Sequence, residues 1–400
     1  MTDSRTVAPS RLRQIPRSVW ALGFVSLFMD MSSEMIQALL PVYLVTVLGA
    51  STLTVGFIEG IAEATANITK VFSGALSDWI GRRKLLTVIG YGLGAATKPI
   101  FALASSIGPV VGARFLDRVG KGIRGAPRDA LVADITPEHL RGASFGLRQS
   151  LDTVGAFVGP LAAIGLMALT ANAFRTIFWI ATVPAMIAMG LLVFGVQEPE
   201  RHGATGSKPP PRLSDVRRMG GPFWAVVAVA SVLTLARFSE AFLVLRAQDV
   251  GLRLALVPVV LVVMNVVYAL SAYPAGALAD GLGRRGVLGV GILFLVVADL
   301  ILALSATIPL TLVGVVFWGL HMGFTQGLFA TLVADTAPSH LRGSAFGLFN
   351  LAIGLAMLAA SIIAGALWDA YGPSATFLAA AMFTTISLIG VLALQARVRG

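Results

Sequence analysis

Acidic and basic side chains recur at helical spacing inside stretches that are otherwise apolar. Asp30, Ser33, Glu34 and Gln37 form one set, and Glu59, Glu63, Asn67 and Lys70 another. At about 100° per residue, each set falls on one face of a helix. Arg114, Asp117, Arg118, Lys121, Arg124 and Arg128 share a broad face of a third stretch. A charge at the centre of a membrane helix costs about 2.5–3.5 kcal/mol on insertion scales, so it faces water or a partner. The economical arrangement turns the three stripes toward one aqueous cavity.

Proton exchange and binding of a charged solute are the chemistry such a cavity offers. A carboxylate taken out of water titrates nearer neutrality, and neutralising it changes the cost of closing the region around it. Asp30, Glu34, Glu59 and Glu63 are the candidate proton-exchanging acids, with Arg118 as the cation that would set their affinity. Glu59, nearer the other end of its helix, suits proton entry. Farther along, the apolar stretches carry Arg237 and Glu240, Asn265 and Tyr268, Asp299, and His321 with Gln326. The candidate solute-binding residues are Gln37, Asn67, Lys70, Lys98, Arg114, Lys121, Arg237, Glu240, Asn265 and Asp299.

Plainer roles stand beside these. Arg148 and Asp152, four residues apart, can simply neutralise each other. Asp117 beside Arg118 can be structural. Arg124, Arg128 and Asp129 lie near a helix end, where they can snorkel or gate. His321, alone on an apolar helix, fits a hydrogen-bonded core residue. A purely structural role suits Asp30, Glu34, Glu59 and Glu63 least, because four acids on two adjacent stripes are costly to bury.

The elements that must position these residues are membrane helices. Of 400 residues, 56% are hydrophobic and only 12% charged, against roughly 25% charged in a soluble domain. Hydropathy places spans at 18–47, 54–77, 85–106, 108–130, 143–168 and 175–196, then at 222–247, 254–277, 286–306, 308–333, 343–367 and 374–396. Each is long enough to cross a hydrocarbon core of about 30 Å. Residues 1–17 form a polar, basic tail without the short apolar core and cleavage site of a secretory signal. Segment 197–221, containing Pro209, Pro210 and Pro211, reads as a linker between two bundles, 18–196 and 222–396, and 397–400 as a short tail.

Most of the 30 lysines and arginines fall in the tails or in alternate loops, whereas only Arg175, Arg246 and Arg253 fall in the others. That bias places both termini in the cytoplasm. The net charge of +10 therefore marks topology, not nucleic-acid binding.

The two bundles repeat each other. Gly74-Ala75-Leu76-Ser77-Asp78 through Gly81-Arg82-Arg83 recurs about 200 positions later as Gly276-Ala277-Leu278-Ala279-Asp280 through Gly283-Arg284-Arg285. Leu131-Val132-Ala133-Asp134, with Leu140-Arg141-Gly142 behind it, recurs at the same offset as Leu332-Val333-Ala334-Asp335 and Leu341-Arg342-Gly343. Lys98 and Asp299 occupy equivalent positions with opposite charge. Parallel repeats of this kind build facilitator transporters.

The Gly-x-x-x-Asp-x-x-Gly-Arg-Arg loop, present twice, resembles the signature loop of the major facilitator superfamily. Arg118-x-x-Lys121-Gly122 resembles that family's fourth-helix motif, with Lys121 in place of the usual glutamine. Gly146, Gly155, Gly159 and Pro160 match the fifth-helix spacing of its proton-coupled exporters, although Ala163 and Ile164 replace the terminal glycine pair. The resemblance implies an all-α fold of twelve transmembrane helices in two homologous six-helix bundles. It implies a monomeric, multi-pass carrier in a bacterial inner membrane, moving a small molecule, with protons as the coupling ion. Export by antiport is the expectation, import of an organic anion by symport the runner-up, and a non-transporting membrane sensor the alternative of another class. The same resemblance assigns gating to Gly74, Asp78, Gly81, Arg82 and Arg83, to Gly155, Gly159 and Pro160, and to Gly276, Asp280, Gly283, Arg284 and Arg285. Their glycines let helix ends approach closely, and Asp78 can accept bonds from a helix N-terminus or an arginine.

Other motifs do not survive their context. Gly120 to Gly125 fits a dinucleotide pattern, but no strand precedes it. There is no phosphate loop, so ATP is not the expected energy source, and no nucleophile elbow or metal-protease spacing, so no enzyme is expected. The absence of cysteine excludes disulfides and thiolate metal sites. No cofactor or metal is implied.

Overall fold

The computed structural model describes residues 14–80, 82–137, 140–198, 219–282, 284–325, 332–333, 336 and 342–399. Among these there are no strands. The first half contains α1 (Arg17–Gln37), α2 (Leu40–Thr46), α3 (Thr52–Ile80), α4 (Arg83–Leu103), α5 (Ile107–Ile135), α6 (Arg141–Leu169) and α7 (Phe174–Gly195). The second contains α8 (Gly221–Ala236), α9 (Ala241–Asp249), α10 (Val259–Leu282), α11 (Arg284–Leu304), α12 (Ile308–Thr325), α13 (Arg342–Tyr371) and α14 (Pro373–Arg399).

Ten of the twelve spans are long and apolar enough to cross a membrane by length and composition alone. The two that are not, α3 and α5, carry the acidic and basic stripes. Bulky side chains point outward where lipid would meet them: Phe194 is 88% exposed and Leu169 84%. In water such a surface would aggregate; in a bilayer it is solvated.

Hydropathy predicts spans 1 and 7 as single helices, and both are broken. α1 stops at Gln37 and α2 begins at Leu40, with Pro41 in its first turn, where a missing N–H costs nothing. α8 stops at Ala236 and α9 begins at Ala241. The two breaks lie about 200 positions apart, so the duplication carries them. Each broken span ends in a left-handed glycine, Gly49 (φ 66°) and Gly251 (φ 95°), a conformation that costs glycine little.

Two faces of the molecule are defined by these turns. One carries the ends of α3 and α5 and the starts of α4 and α6 and is here the basic face; the opposite, far face carries Gly49, Gly251 and the 104–107 turn. The halves are joined toward the far face. A single apolar cluster there contains Tyr43, Phe101 and Phe178 from the first half and Phe242, Trp318 and Phe377 from the second. Toward the basic face each half keeps its own smaller core, one around Leu22, Met29 and Tyr91, the other around Phe223, Val333 and Ala345.

α3 lies along α13 to form most of that junction, through small residues. A Cβ on Gly365 would stand 2.5 Å from the Thr52 carbonyl oxygen, and one on Gly60 3.0 Å from that of Leu358. Gly56 is closer still to the Ser361 carbonyl. Backbones approach this closely only where side chains are absent.

The signature-loop assignment is visible only in part. Gly81 and Gly283, the surroundings of Gly74 and Gly276, and the side chains of Asp78, Asp280, Arg284 and Arg285 lie outside the described residues. Arg82 is exposed. Arg83 reaches the end of α5, pairing with Asp134 at 2.6 Å and donating to the Ala130 carbonyl at 2.7 Å.

Candidate functional site

Between the halves lies a cavity of about 410 Å³. α1 supplies Asp30, Glu34 and Gln37, α3 Glu63, α5 Lys121 and α6 Ala156. The break between α8 and α9 supplies Arg237, Phe238, Ser239 and Glu240; Asn265, Trp318 and Met357 complete the lining. The break between α8 and α9 thus opens onto it, which frees backbone and side chains that a continuous helix would commit elsewhere, and α1 reaches it with its last residue, Gln37.

A second space of about 250 Å³ leads from it toward the basic face. Asp30, Glu63 and Lys121 border both, and Asn67, Lys70, Arg124, Arg128, Asp129 and Asp152 line the remainder. On the far side, Gln37, Glu59, Ser239 and Val244 enclose only about 10 Å³, room for one water. The site is therefore sealed toward the far face.

Three arginine and lysine side chains of the first half are spent on buried ion pairs. Arg114 holds Glu59 at 2.6 Å, and both are almost fully buried. Arg118, 1% exposed, reaches Glu63 at 3.3 Å, Asp117 at 3.2 Å and the Gln37 Oε1 at 3.1 Å. Lys98 pairs with Asp117 at 2.9 Å and donates to the Ser33 hydroxyl at 3.0 Å. Asp30 is held loosely: Arg124 stands 3.8 Å away, itself stacked on the Tyr91 ring at 4.5 Å. The Asp152 carboxyl lies within hydrogen-bonding reach of Asp30.

Several residues expected at the site stand apart from the cavity. Lys98 and Asp299, matched by the repeat, are 1% and 0% exposed inside their own bundles. Asp299 is bonded to the Thr384 hydroxyl at 3.2 Å. Arg114 lies behind Glu59 and Gln37. Glu59, considered for proton entry, is 2% exposed and paired. Asn67 and Lys70 line the basic-side passage only. Arg118 contacts Glu63 but neither Asp30 nor Glu34. His321 is buried, with Nδ1 2.8 Å from the Gly291 carbonyl. Gln326 lies outside the described residues.

Arg148 forms an ion pair with Asp152 at 3.6 Å, but Arg128 and Asp129 join the same network. The fifth-helix glycines lie against α1: Gly155 meets the Leu27 carbonyl, and a Cβ on Gly159 would stand 2.7 Å from Glu34 Cβ. They set how near α6 comes to the acid-bearing face of α1.

Among the described residues, Glu34, Lys121, Arg237 and Glu240 line the cavity without an ion pair or a side-chain hydrogen bond. Sequence reasoning missed Phe238, Ser239, Trp318 and Met357. Ser239 had a signal, since it lies at the repeat equivalent of Gln37.

Comparison with known proteins agrees with this architecture. The Major Facilitator Superfamily model matches residues 22–245 and 241–399. An uncharacterized MFS-type transporter of Methanocaldococcus jannaschii is 32% identical over 382 residues, 94% of each chain. An inner membrane transport protein of Escherichia coli is 31% identical over 195 residues, 46% of this chain and 40% of its own. The crystal structure of a nucleoside transporter superposes with a TM-score of 0.74 at 14% identity, covering 94% of this chain and 99% of its own, a likeness of fold alone. With a family model matched along nearly its whole length and a relative of the same extent, the chain belongs to the major facilitator superfamily of membrane transporters.

Proposed function

We propose that this transporter couples movement of a small polar solute to protons, by alternating access around the central cavity. The solute is exported by antiport across a bacterial inner membrane, with both termini and the basic face in the cytoplasm. The observation that carries the coupling is the position of Asp30. It borders both the central cavity and the passage to the basic face, and its nearest cation is 3.8 Å away. Glu59 and Glu63 are bound by arginines; Asp30 is free to exchange a proton without breaking a short ion pair. Taking up a proton lowers the cost of enclosing the group when the halves close over it.

The fifth-helix glycines, through their likeness to exporters, support the direction. Lys121 and Arg237 in the cavity support the second reading, import of an organic anion with protons. The test is proton-driven flux beside solute exchange in proteoliposomes, with Asp30→Asn, Glu34→Gln and Glu63→Gln. Asp30→Asn should abolish accumulation driven by a pH gradient and spare exchange. Full pH-driven accumulation in all three variants would place coupling elsewhere.

A further inference from the structure

We infer that the solute is a zwitterion of amino-acid to small-peptide size. This inference rests on the transport reading above and deepens it. Each half places one acid and one cation in the cavity with no direct ion pair or side-chain hydrogen bond: Glu34 and Lys121 from the first, Glu240 and Arg237 from the second. They form one cluster: all four line the same cavity, and the charges of Glu34, Arg237 and Lys121 all act on Glu240. In the open cavity, water solvates all four. Closure removes that water, and a charge enclosed without a partner is expensive.

The cargo decides whether closure is favourable. A monovalent anion would satisfy Lys121 and Arg237 while leaving two carboxylates bare. A monovalent cation would do the reverse. A solute carrying an ammonium and a carboxylate answers both sets, and it engages both halves together. Its apolar part has Phe238 and Trp318 to lie on. The volume of about 410 Å³ sits at the small end of ligand cavities, roughly 300–1,000 Å³.

The probes are protein amino acids and dipeptides, each with its C-terminal amide, which leaves only the ammonium, and its N-acetyl derivative, which leaves only the carboxylate. Binding is read by thermal stabilisation of the purified protein, and movement by uptake into proteoliposomes. At least one zwitterion should bind, and its amide and N-acetyl forms should bind about tenfold or more weakly, the loss expected for a charge-assisted contact. Glu240→Gln should weaken the zwitterion similarly and narrow its advantage over the N-acetyl form. Arg237→Gln should narrow the advantage over the amide. Unchanged melting of the unliganded variants shows that they remain folded. The inference is overturned if no zwitterion binds, or if an amide or N-acetyl form binds as well as its parent. A zwitterion that binds but is not moved upholds the class and defeats the transport reading. Movement of an anion or cation with no zwitterion moved does the opposite.

Discussion

Asp369 of α13 caps the first turn of α3 across the boundary between the halves. Its Oδ1 accepts the Thr52 N–H at 3.0 Å and its Oδ2 the Leu53 N–H at 2.9 Å, while the Thr52 hydroxyl also donates to it. A carboxylate at a helix N-terminus satisfies orphan N–H groups and complements the helix dipole. Here the cap and the helix belong to different bundles, so the bonds exist only while the far side is shut.

Asp369→Ala should therefore loosen the far-side closure. A cap of this kind is worth about 0.5–1 kcal/mol at a water-exposed position, or roughly two- to fivefold in the ratio of open to closed forms. Because the chain has no cysteine, a single Val244→Cys is a clean reporter: Val244 is 1% exposed behind the seal. Maleimide labelling there should quicken by that factor in the Asp369→Ala background. An unchanged rate would mean the cap does not hold the gate.

The glycine contacts predict a stronger effect of the same sign. Gly365→Leu places side-chain atoms where the Thr52 carbonyl and the Leu53 Cα already stand, 2.5 and 2.7 Å from a Cβ. Backbone cannot give way as a flexible side chain can, so the halves must part. Labelling at Val244→Cys should be fast, and transport, which needs both closed forms, should be lost although the protein inserts and purifies normally. Transport at the normal rate would show that α3 and α13 need not close this tightly.

The pair Lys98–Asp117 should act as structure. Lys98→Met leaves a buried carboxylate with less compensation, a loss of about 3–5 kcal/mol for breaking such a pair. Adding Asp117→Leu should recover much of it, since Arg118 retains Glu63 and Gln37. Melting temperatures of the single and double variants in detergent measure this. No recovery in the double variant would mean Asp117 is needed chiefly by Arg118.

Orientation is checked independently. Tags on either terminus and within 197–221 should all report the cytoplasm, as the loop charge bias requires. A tag within 197–221 reached from outside the cell would invert the assignment of the basic face and the proposed direction with it.

The spans, the duplication and the polar stripes were legible because they depend on run length and on helical period, which one chain segment carries alone. The breaks after Gln37 and Ala236 were not. The first had a signal that run length alone passes over: Pro41 lacks the N–H that would bond the Gln37 carbonyl, and its ring crowds that oxygen; Arg237 to Glu240 contains no helix breaker. The partners of the stripes were equally hidden. Whether Arg118 meets Glu63 or Asp30 depends on the register of one helix against another, which no periodicity encodes. Nothing in the sequence around Asp369 marks it; only the fold brings it to Thr52.

Proton movement driven by solute is the most direct test of coupling at Asp30. A solute gradient imposed across proteoliposomes with a pH dye inside should move protons through the unaltered protein in the direction opposite to the solute. Asp30→Asn should exchange the solute at an undiminished rate with no change in dye signal. Proton movement in Asp30→Asn equal to that of the unaltered protein would contradict the account.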